Sequence, residues 1–197
     1  RIEHLTMPTR ESLHLYAELG LVASVQPSFD AHWGGAGGMY EHRLGSDRLA
    51  NSHPFGAMSQ SGLALAFGSD SPVTFGSPWT WIQAATEHNQ VAQRLSTRAA
   101  FAAATRGGRR AAKQDSRGVL AVGAPADLAI WQVPAYEDLT TQHDESSSVQ
   151  NRANITNWST DPRSGTHPLP DLRQGLPTCL ATIRDGQFIF DGLGVTA

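Results

Sequence analysis

Three short apolar segments, each followed by a segment with helical character, fill residues 1–115 of the sequence. The apolar segments are residues 1–5, 21–26 and 62–70, and Pro8 and Pro27 interrupt the chain after the first two. Alternation of this kind is typical of βαβ units, in which helices cover parallel strands. We therefore predict an α/β fold with a parallel sheet for this part of the chain.

Helix boundaries can be predicted from capping residues. Thr9 or Thr6 is expected to cap a helix that ends at Gly20, and Ser77 is expected to cap a helix that has proline at its first position and runs to about residue 88. Ser96 is expected to cap a helix that breaks at the glycine pair 107–108. Further helices are predicted at residues 40–49 and 54–60, and the aromatic, glycine-rich residues 29–40 are predicted to form a loop.

The segment 62–70 has its large apolar side chains at alternate positions and small residues between them, and it ends at Asp70. His4 stands in the same place at the end of the first predicted strand. Functional groups in α/β folds lie at the carboxyl ends of parallel strands. These two residues are therefore the candidates for chemistry.

An imidazole nitrogen and a carboxylate oxygen suit Zn²⁺ or a similar cation, and a carboxylate beside such an ion can also carry a proton. Two ligands do not complete a catalytic zinc site, which takes at least three from the protein. A structural histidine and a turn-forming aspartate are the alternative interpretation of His4 and Asp70. His32, His42 and His53 are expected to be solvated loop histidines.

Charge and cysteine content exclude several other classes. The formal net charge of −3 gives no electrostatic basis for binding nucleic acid or an anionic membrane. One cysteine excludes an internal disulfide framework and fits a cytoplasmic protein. No apolar run reaches the roughly 18–20 residues that span a bilayer. A serine hydrolase would need an arrangement outside the usual nucleophile motif, using one of four serines, Ser24, Ser28, Ser69 or Ser71.

Residues 116–197 have a different character. Short strands are predicted at 118–120, 127–131, 179–183 and 187–190, and Asp185-Gly186 is a hairpin turn signal between the last two. A polar excursion occupies about residues 135–177. We predict a small β domain here.

Three motifs, read in order, resemble the last three strands of metal-dependent amidohydrolases. They are Arg-Ile-Glu-His at 1–4, Ala-Ser-Val-Gln-Pro at 23–27 and Ala-Phe-Gly-Ser-Asp-Ser-Pro-Val at 66–73. Residues 99–108, 118–128 and 158–163 are also similar to segments of this family. Within this family the sequence most resembles the YtcJ-like group, which includes N-substituted formamide deformylases.

The resemblance implies strands six to eight of a (β/α)₈ TIM-type barrel in residues 1–115 and strands of a small β-sandwich in residues 116–197. It also implies a divalent metal site, usually zinc with one or two ions, that activates water to hydrolyse an amide-type, non-peptide C–N bond of a small molecule. His4 would be a metal ligand, and Asp70 would be both a ligand and the catalytic base. Gln26, Asp30 and Trp33 are expected, from their positions in the loop, to bind substrate.

The family's ligands from earlier strands have no counterpart in the sequence and would lie upstream of Arg1. The expectation is therefore a C-terminal portion of a bacterial enzyme, inactive by itself, that forms a homo-oligomer or associates with the missing N-terminal half. A non-catalytic half-barrel that assembles with another chain is the main alternative, and the serine hydrolase is a further one.

Overall fold

A computed structural model of the protein describes residues 1–134 and 169–195. The chain divides into two compact units, Arg1–Val119 and Leu120–Ala197. Most of the predicted polar excursion and the motif at 158–163 lie outside the described residues. The assignment of residues 1–115 to a barrel and 116–197 to a sandwich stays a prediction.

The first unit contains a three-stranded sheet formed by β1 (Ile2–Glu3), β2 (Val22–Val25) and β3 (Ala64–Phe67). The strands are hydrogen-bonded in chain order, and both pairs are parallel. Ile2 is paired with Ala23, and Val22 with Ala64. The predicted parallel sheet is confirmed, and its order places the chain segments that follow the three strands along one edge.

Helices connect and follow these strands. Their bounds are α1 Arg10–Glu18, α2 Pro27–Trp33, α3 Met39–Leu44, α4 Ser46–Leu49, α5 Phe55–Gln60, α6 Pro78–Thr86, α7 Thr97–Ala102 and α8 Gly108–Ala111, with a 3₁₀ turn at Val91–Gln93 and a π-helical turn at Ala103–Gly107. The largest fully buried apolar side chains belong to the helices, and they include Phe55, Met58 and Ile82. No helix within residues 1–134 and 169–195 has the length and apolar character needed to cross a membrane.

Two of the three predicted caps form as expected, whereas Ser77 stands at the start of α6 but its side chain makes no capping hydrogen bond. The Thr9 hydroxyl accepts a hydrogen bond from the Ser12 N–H at 3.2 Å, and the Ser96 hydroxyl accepts one from the Ala99 N–H at 3.2 Å. Each hydroxyl satisfies one backbone donor in the first turn of its helix, which would otherwise lack an intrahelical partner.

The prediction of a loop from residue 29 was wrong, because residues 27–33 form helix α2. Pro27 ends β2, but it also stands at the first position of the helix, where proline lacks only an N–H that the helix does not use. Helix α2 places the ring of Phe29 against His4, the residue that follows β1.

The predicted break at the glycine pair 107–108 was also wrong. Gly107 has helical backbone angles of φ −59° and ψ −46°, and the helix continues into α8. A Cβ atom at Gly107 would collide with the carbonyl oxygen of Leu65 in β3. Glycine is needed there because the helix passes close to the sheet, and the helix does not end at that point.

The second unit contains an antiparallel sheet of β4 (Leu128–Gln132), β5 (Thr178–Arg184) and β6 (Gln187–Asp191), in that order. The turn between β5 and β6 is the predicted one, with positive φ angles at Asp185 (47°) and Gly186 (80°). Three predicted strands are thus confirmed. The strand predicted at 118–120 was wrong, since these residues form no ladder in the described part of the chain.

Candidate metal centre

His4 and Asp70 come together in the first unit. His4 directly follows β1, Asp70 lies three residues beyond the end of β3, and β2 lies between the two strands. The Nε2 atom of His4 lies 3.9 Å from Oδ2 of Asp70, and the side chains are 50% and 41% exposed. The structure therefore brings the two sequence-predicted ligands to one accessible place at the carboxyl edge of the sheet.

The backbone at both residues is left-handed, with φ of 54° at His4 and at Asp70. The N–H of His4 donates to the carbonyl of Ser24 at 2.9 Å, and the carbonyl of Asp70 accepts from the N–H of Val73 at 2.8 Å. These bonds hold each residue at the point where the chain leaves the sheet.

Gln26 orients the His4 ring. Its side-chain oxygen Oε1 lies 3.0 Å from Nδ1 of His4, and Gln26 is buried. An amide oxygen can only accept a hydrogen bond, so the proton of the neutral ring sits on Nδ1 and the lone pair is on Nε2. The predicted substrate residue Gln26 therefore contacts the ring of a candidate ligand and leaves the nitrogen that faces Asp70 free to bind a cation.

The donor pair fits a divalent metal in chemistry and spacing. Two donors that are each about 2 Å from one tetrahedral ion lie about 3.3 Å apart, and their separation cannot exceed about 4 Å. The observed 3.9 Å is longer than the tetrahedral separation but within the upper limit, so a shared tetrahedral ion requires the two side chains to move slightly closer together. Within residues 1–134 and 169–195, no group of three or more His, Cys, Asp and Glu residues is placed to hold a metal ion. His4 and Asp70 can thus supply part of a metal site.

A row of aromatic rings begins at His4. Phe29 stacks on the His4 ring, with centroids 6.4 Å apart and planes within 7°, and Trp33 lies 5.1 Å from Phe29. The row continues through Tyr40 to His53. Trp33, predicted to bind substrate, is thus one ring removed from His4. Sequence reasoning missed Phe29, although the spacing of residues 26, 29 and 33 would have placed all three on one side of a helix.

Asp30, which is expected to bind substrate, is buried in the structure. Asp30 is 1% exposed, and its Oδ2 accepts hydrogen bonds from the backbone N–H and the side-chain amide of Asn89 at 2.9 and 3.1 Å. The second oxygen, Oδ1, is buried without a hydrogen-bond partner. The carboxylate binds neighbouring protein groups and is closed to solvent.

Two buried histidines lie beside Asp30. Nδ1 of His88 is 3.5 Å from Asp30 Oδ2, but it already accepts a hydrogen bond from the N–H of Gln90 at 2.9 Å. Nε2–H of His88 donates to the carbonyl of His53 at 3.0 Å. His88 is therefore a neutral ring, and burial lowers its pKa, an effect that the charge of Asp30 opposes.

His53 corrects a further expectation. It was predicted to be a solvated loop histidine, but it is 3% exposed and lies between the rings of Tyr40 and Phe55. Its backbone N–H donates to the carbonyl of Thr6 at 2.8 Å, which ties it to the chain that follows His4. Burial lowers the pKa of His53 to about 4. Burial and the charge of Asp30 together raise the pKa of Tyr40.

Comparison with known proteins gives a family match over most of the chain. The model of the amidohydrolase family matches residues 1–190. None of the curated proteins matches the chain significantly.

Solved structures give a consistent fold. An uncharacterized metal-dependent hydrolase from Pyrococcus furiosus is 26% identical, with a TM-score of 0.58, over 64% of this chain and 26% of that chain. Atrazine chlorohydrolase from Arthrobacter aurescens, solved with zinc, is 18% identical with a TM-score of 0.59. An adenosine deaminase from Xanthomonas campestris, also with bound zinc, is 20% identical with a TM-score of 0.59.

The last two matches each cover 96% of this chain and 36% of the other chain, and at their level of identity they show the fold alone. The chain thus spans 26–36% of the length of these three proteins. Together with the parallel sheet, the matches show an α/β fold related to the TIM barrel.

Proposed function

Because the chain belongs to the amidohydrolase family, we propose that it forms part of the active site of a metal-dependent hydrolase that cleaves an amide-type, non-peptide C–N bond of a small molecule. The observation that carries this proposal is the 3.9 Å approach of His4 Nε2 to Asp70 Oδ2 at the carboxyl edge of a parallel sheet. In this proposal β1, β2 and β3 correspond to strands six, seven and eight of the family's barrel.

His4 and Asp70 would hold the metal, for which zinc fits the donor set best. When bound, the ion supplies a Lewis acid that favours attack of water on the substrate carbonyl. Gln26 keeps the Nε2 lone pair of His4 available through its hydrogen bond to Nδ1. Orientation of a ligating histidine by its second nitrogen is a common requirement of metal sites.

Asp70 would move the proton. Its carboxylate is 41% exposed, so it can meet both a water molecule and the leaving group of a substrate. As water oxygen bonds to the carbonyl carbon, Asp70 accepts the proton that the water releases. It then delivers this proton to the nitrogen as the C–N bond breaks, so that a carboxyl product and an amine leave and the carboxylate is restored.

At least one more ligand is required, because catalytic zinc takes three or more groups from the protein. In the described sheet, β1 and β3 each pair with a strand on one side only. Strands with unpaired edges readily accept further strands. We propose that strands from the rest of the enzyme, or from a partner chain, complete the sheet and bring the remaining ligands.

The test uses the enzyme that contains this chain, purified with zinc, and follows metal content and hydrolysis of a panel of N-substituted amides. His4→Ala and Asp70→Asn are each expected to lower hydrolysis at least about 100-fold. His4→Ala is also expected to lower zinc retention. His14→Ala and Asp47→Asn are matched controls, since both residues lie on exposed helical surface, and both should leave zinc content and rate unchanged.

Full zinc retention and an unchanged rate in both site variants would overturn the proposal. Loss of activity with a serine-directed fluorophosphonate, together with indifference to chelators, would instead support the serine hydrolase. A complete, zinc-loaded assembly with no hydrolysis of any amide would support the non-catalytic module.

A further inference from the structure

We propose that Asp30 and Asn89 form a buried clamp that positions His4, and that they are positioning residues for the proposed metal site. This inference rests on the proposed function. The clamp is defined by the hydrogen bonds between these two residues, which are separated by 59 positions in the chain.

Asn89 binds Asp30 through both its backbone and its side chain. Its N–H and its side-chain amide both donate to Oδ2 of Asp30, and the amide also donates to the Asp30 carbonyl at 2.8 Å. Asp30 is 1% exposed. Hydrogen bonds to an ionised group are stronger than neutral ones, particularly where water is excluded. The contact therefore fixes both the carboxylate and the backbone of α2 at this residue.

The groups that touch His4 belong to the same helix as Asp30. Gln26 stands at the residue before α2 and accepts a hydrogen bond from Nδ1 of His4, while Phe29, the neighbour of Asp30, stacks on the ring. A shift of α2 along or around its axis would move both contacts at once. The ring of His4 is thus held only as firmly as α2 is.

The other half of the clamp, Asn89, belongs to the part of the chain that follows Asp70. Asn89 follows α6, which is the first helix after Asp70. The Asp30–Asn89 contact therefore joins the helix that orients one candidate ligand to the helix that follows the other.

The clamp contains a feature that lowers the stability of the fold, so a gain in stability does not by itself explain it. Oδ1 of Asp30 is buried without a partner, and burial of an unsatisfied polar atom lowers stability. Gly34 also lies so close that a Cβ atom there would collide with Oδ1. A neutral side chain would fill the same space with a smaller desolvation cost, so the charge points to a need for defined geometry.

The test compares Asn89→Ala and Asp30→Asn with Leu13→Ala, which removes a buried α1 side chain and destabilises the unit without touching the clamp. The first readout is the ¹⁵N NMR spectrum of the His4 ring in the metal-free enzyme. In the parent protein the ring should be the Nδ1–H tautomer, and in Asn89→Ala it should become a mixture of both tautomers. The second readout is the zinc dissociation constant, which should rise about tenfold in Asn89→Ala.

Asp30→Asn keeps an acceptor for Asn89, so we expect its effects on both readouts to be smaller than those of Asn89→Ala. Leu13→Ala should lower the thermal midpoint and leave both readouts unchanged. A His4 tautomer that does not change in Asn89→Ala would overturn the clamp, whatever the zinc affinity. If His4→Ala left zinc affinity unchanged, the proposed metal site would fail, while the tautomer measurement would still decide whether the clamp orients the ring.

Discussion

The side-chain oxygen of Gln26 lies 3.0 Å from Nδ1 of His4, although 22 positions separate the two residues in the chain. The contact joins the ends of the neighbouring parallel strands β1 and β2. It selects one tautomer of the ring and leaves Nε2 facing Asp70. Gln26, which is predicted to bind substrate, thus orients the ring of the candidate ligand His4.

Replacement of Gln26 by leucine should weaken metal binding. The side chain keeps a similar volume but loses the acceptor for Nδ1–H, so the ring can take either tautomer. We expect zinc affinity to fall about 10–100-fold, measured by competition with a chelating dye. Gln26→Glu retains an acceptor and should bind zinc more tightly than Gln26→Leu. Equal affinity of the parent protein and Gln26→Leu would show that the hydrogen bond does not matter for the metal.

Acid should destabilise the first unit through His53. An unfolded His53 binds a proton below about pH 6.5, whereas burial lowers the pKa of the folded group to about 4. Between these values the unfolded state holds more protons, so stability falls as the pH is lowered through this window. The loss attributable to His53 amounts to about 3 kcal/mol, and the lowered pKa of His88 acts in the same direction.

Urea unfolding of the metal-free protein between pH 4 and 7.5 measures this dependence. His53→Asn removes the titrating group, and asparagine tolerates the left-handed backbone at this position, where φ is 49°. The variant should show a flatter pH profile, whereas His14→Asn on the exposed face of α1 should keep the parent slope. If the free energy of unfolding of His53→Asn changed with pH as steeply as that of the parent protein, His53 would not be the source of the pH dependence.

Gly107 and Gly108 form a matched pair for a steric prediction. Both have helical backbone angles, but a Cβ atom at Gly107 would meet the Leu65 carbonyl, whereas one at Gly108 would have nothing within 4 Å. Gly107→Ala should destabilise the unit by about 1–3 kcal/mol. Gly108→Ala should stabilise it by about 0.4–1 kcal/mol, because alanine restricts the unfolded chain. Thermal unfolding of the two variants measures both changes in stability. A change of the same sign in both variants would contradict the close packing of Gly107 against Leu65.

Gly34 and Gly35 offer a similar comparison beside the clamp. A Cβ atom at Gly34 would collide with Oδ1 of Asp30, but one at Gly35 would make an ordinary contact with Asn89 at 3.4 Å. Gly34→Ala should cost about 1–3 kcal/mol in unfolding free energy, and Gly35→Ala should cost much less. A Gly34→Ala variant as stable as Gly35→Ala would mean that Asp30 can move out of its buried position at little cost.

Local signals in the sequence were sufficient to predict much of the first unit. Alternating strands and helices predicted the parallel sheet, and Thr9 and Ser96 marked the starts of two helices. Two residues were misread, one for a local reason and one because its role depends on a distant contact. Pro27 ends a strand and begins a helix, and Gly107 reflects the nearby Leu65 carbonyl, which no local pattern records.

The candidate metal site was also predictable only in part from the sequence. His4 and Asp70 could be chosen because strand ends in a parallel sheet converge on one edge. The partners of Asp30 could not be predicted, because Asn89 lies far along the chain and carries no motif. Burial of His53 depends on Tyr40 and Phe55 closing over it, and a polar residue in an irregular segment gives no sign of this.

The left-handed backbone of His4 and Asp70 has a consequence for how this protein could change over time. A non-glycine residue in that conformation costs on the order of 1–3 kcal/mol, and glycine would relieve much of that cost at either position. Selection for thermal robustness alone would therefore favour replacement of the two candidate ligands. Variants recovered from a stability screen should accumulate substitutions at these two positions, whereas a screen for turnover should retain histidine and aspartate.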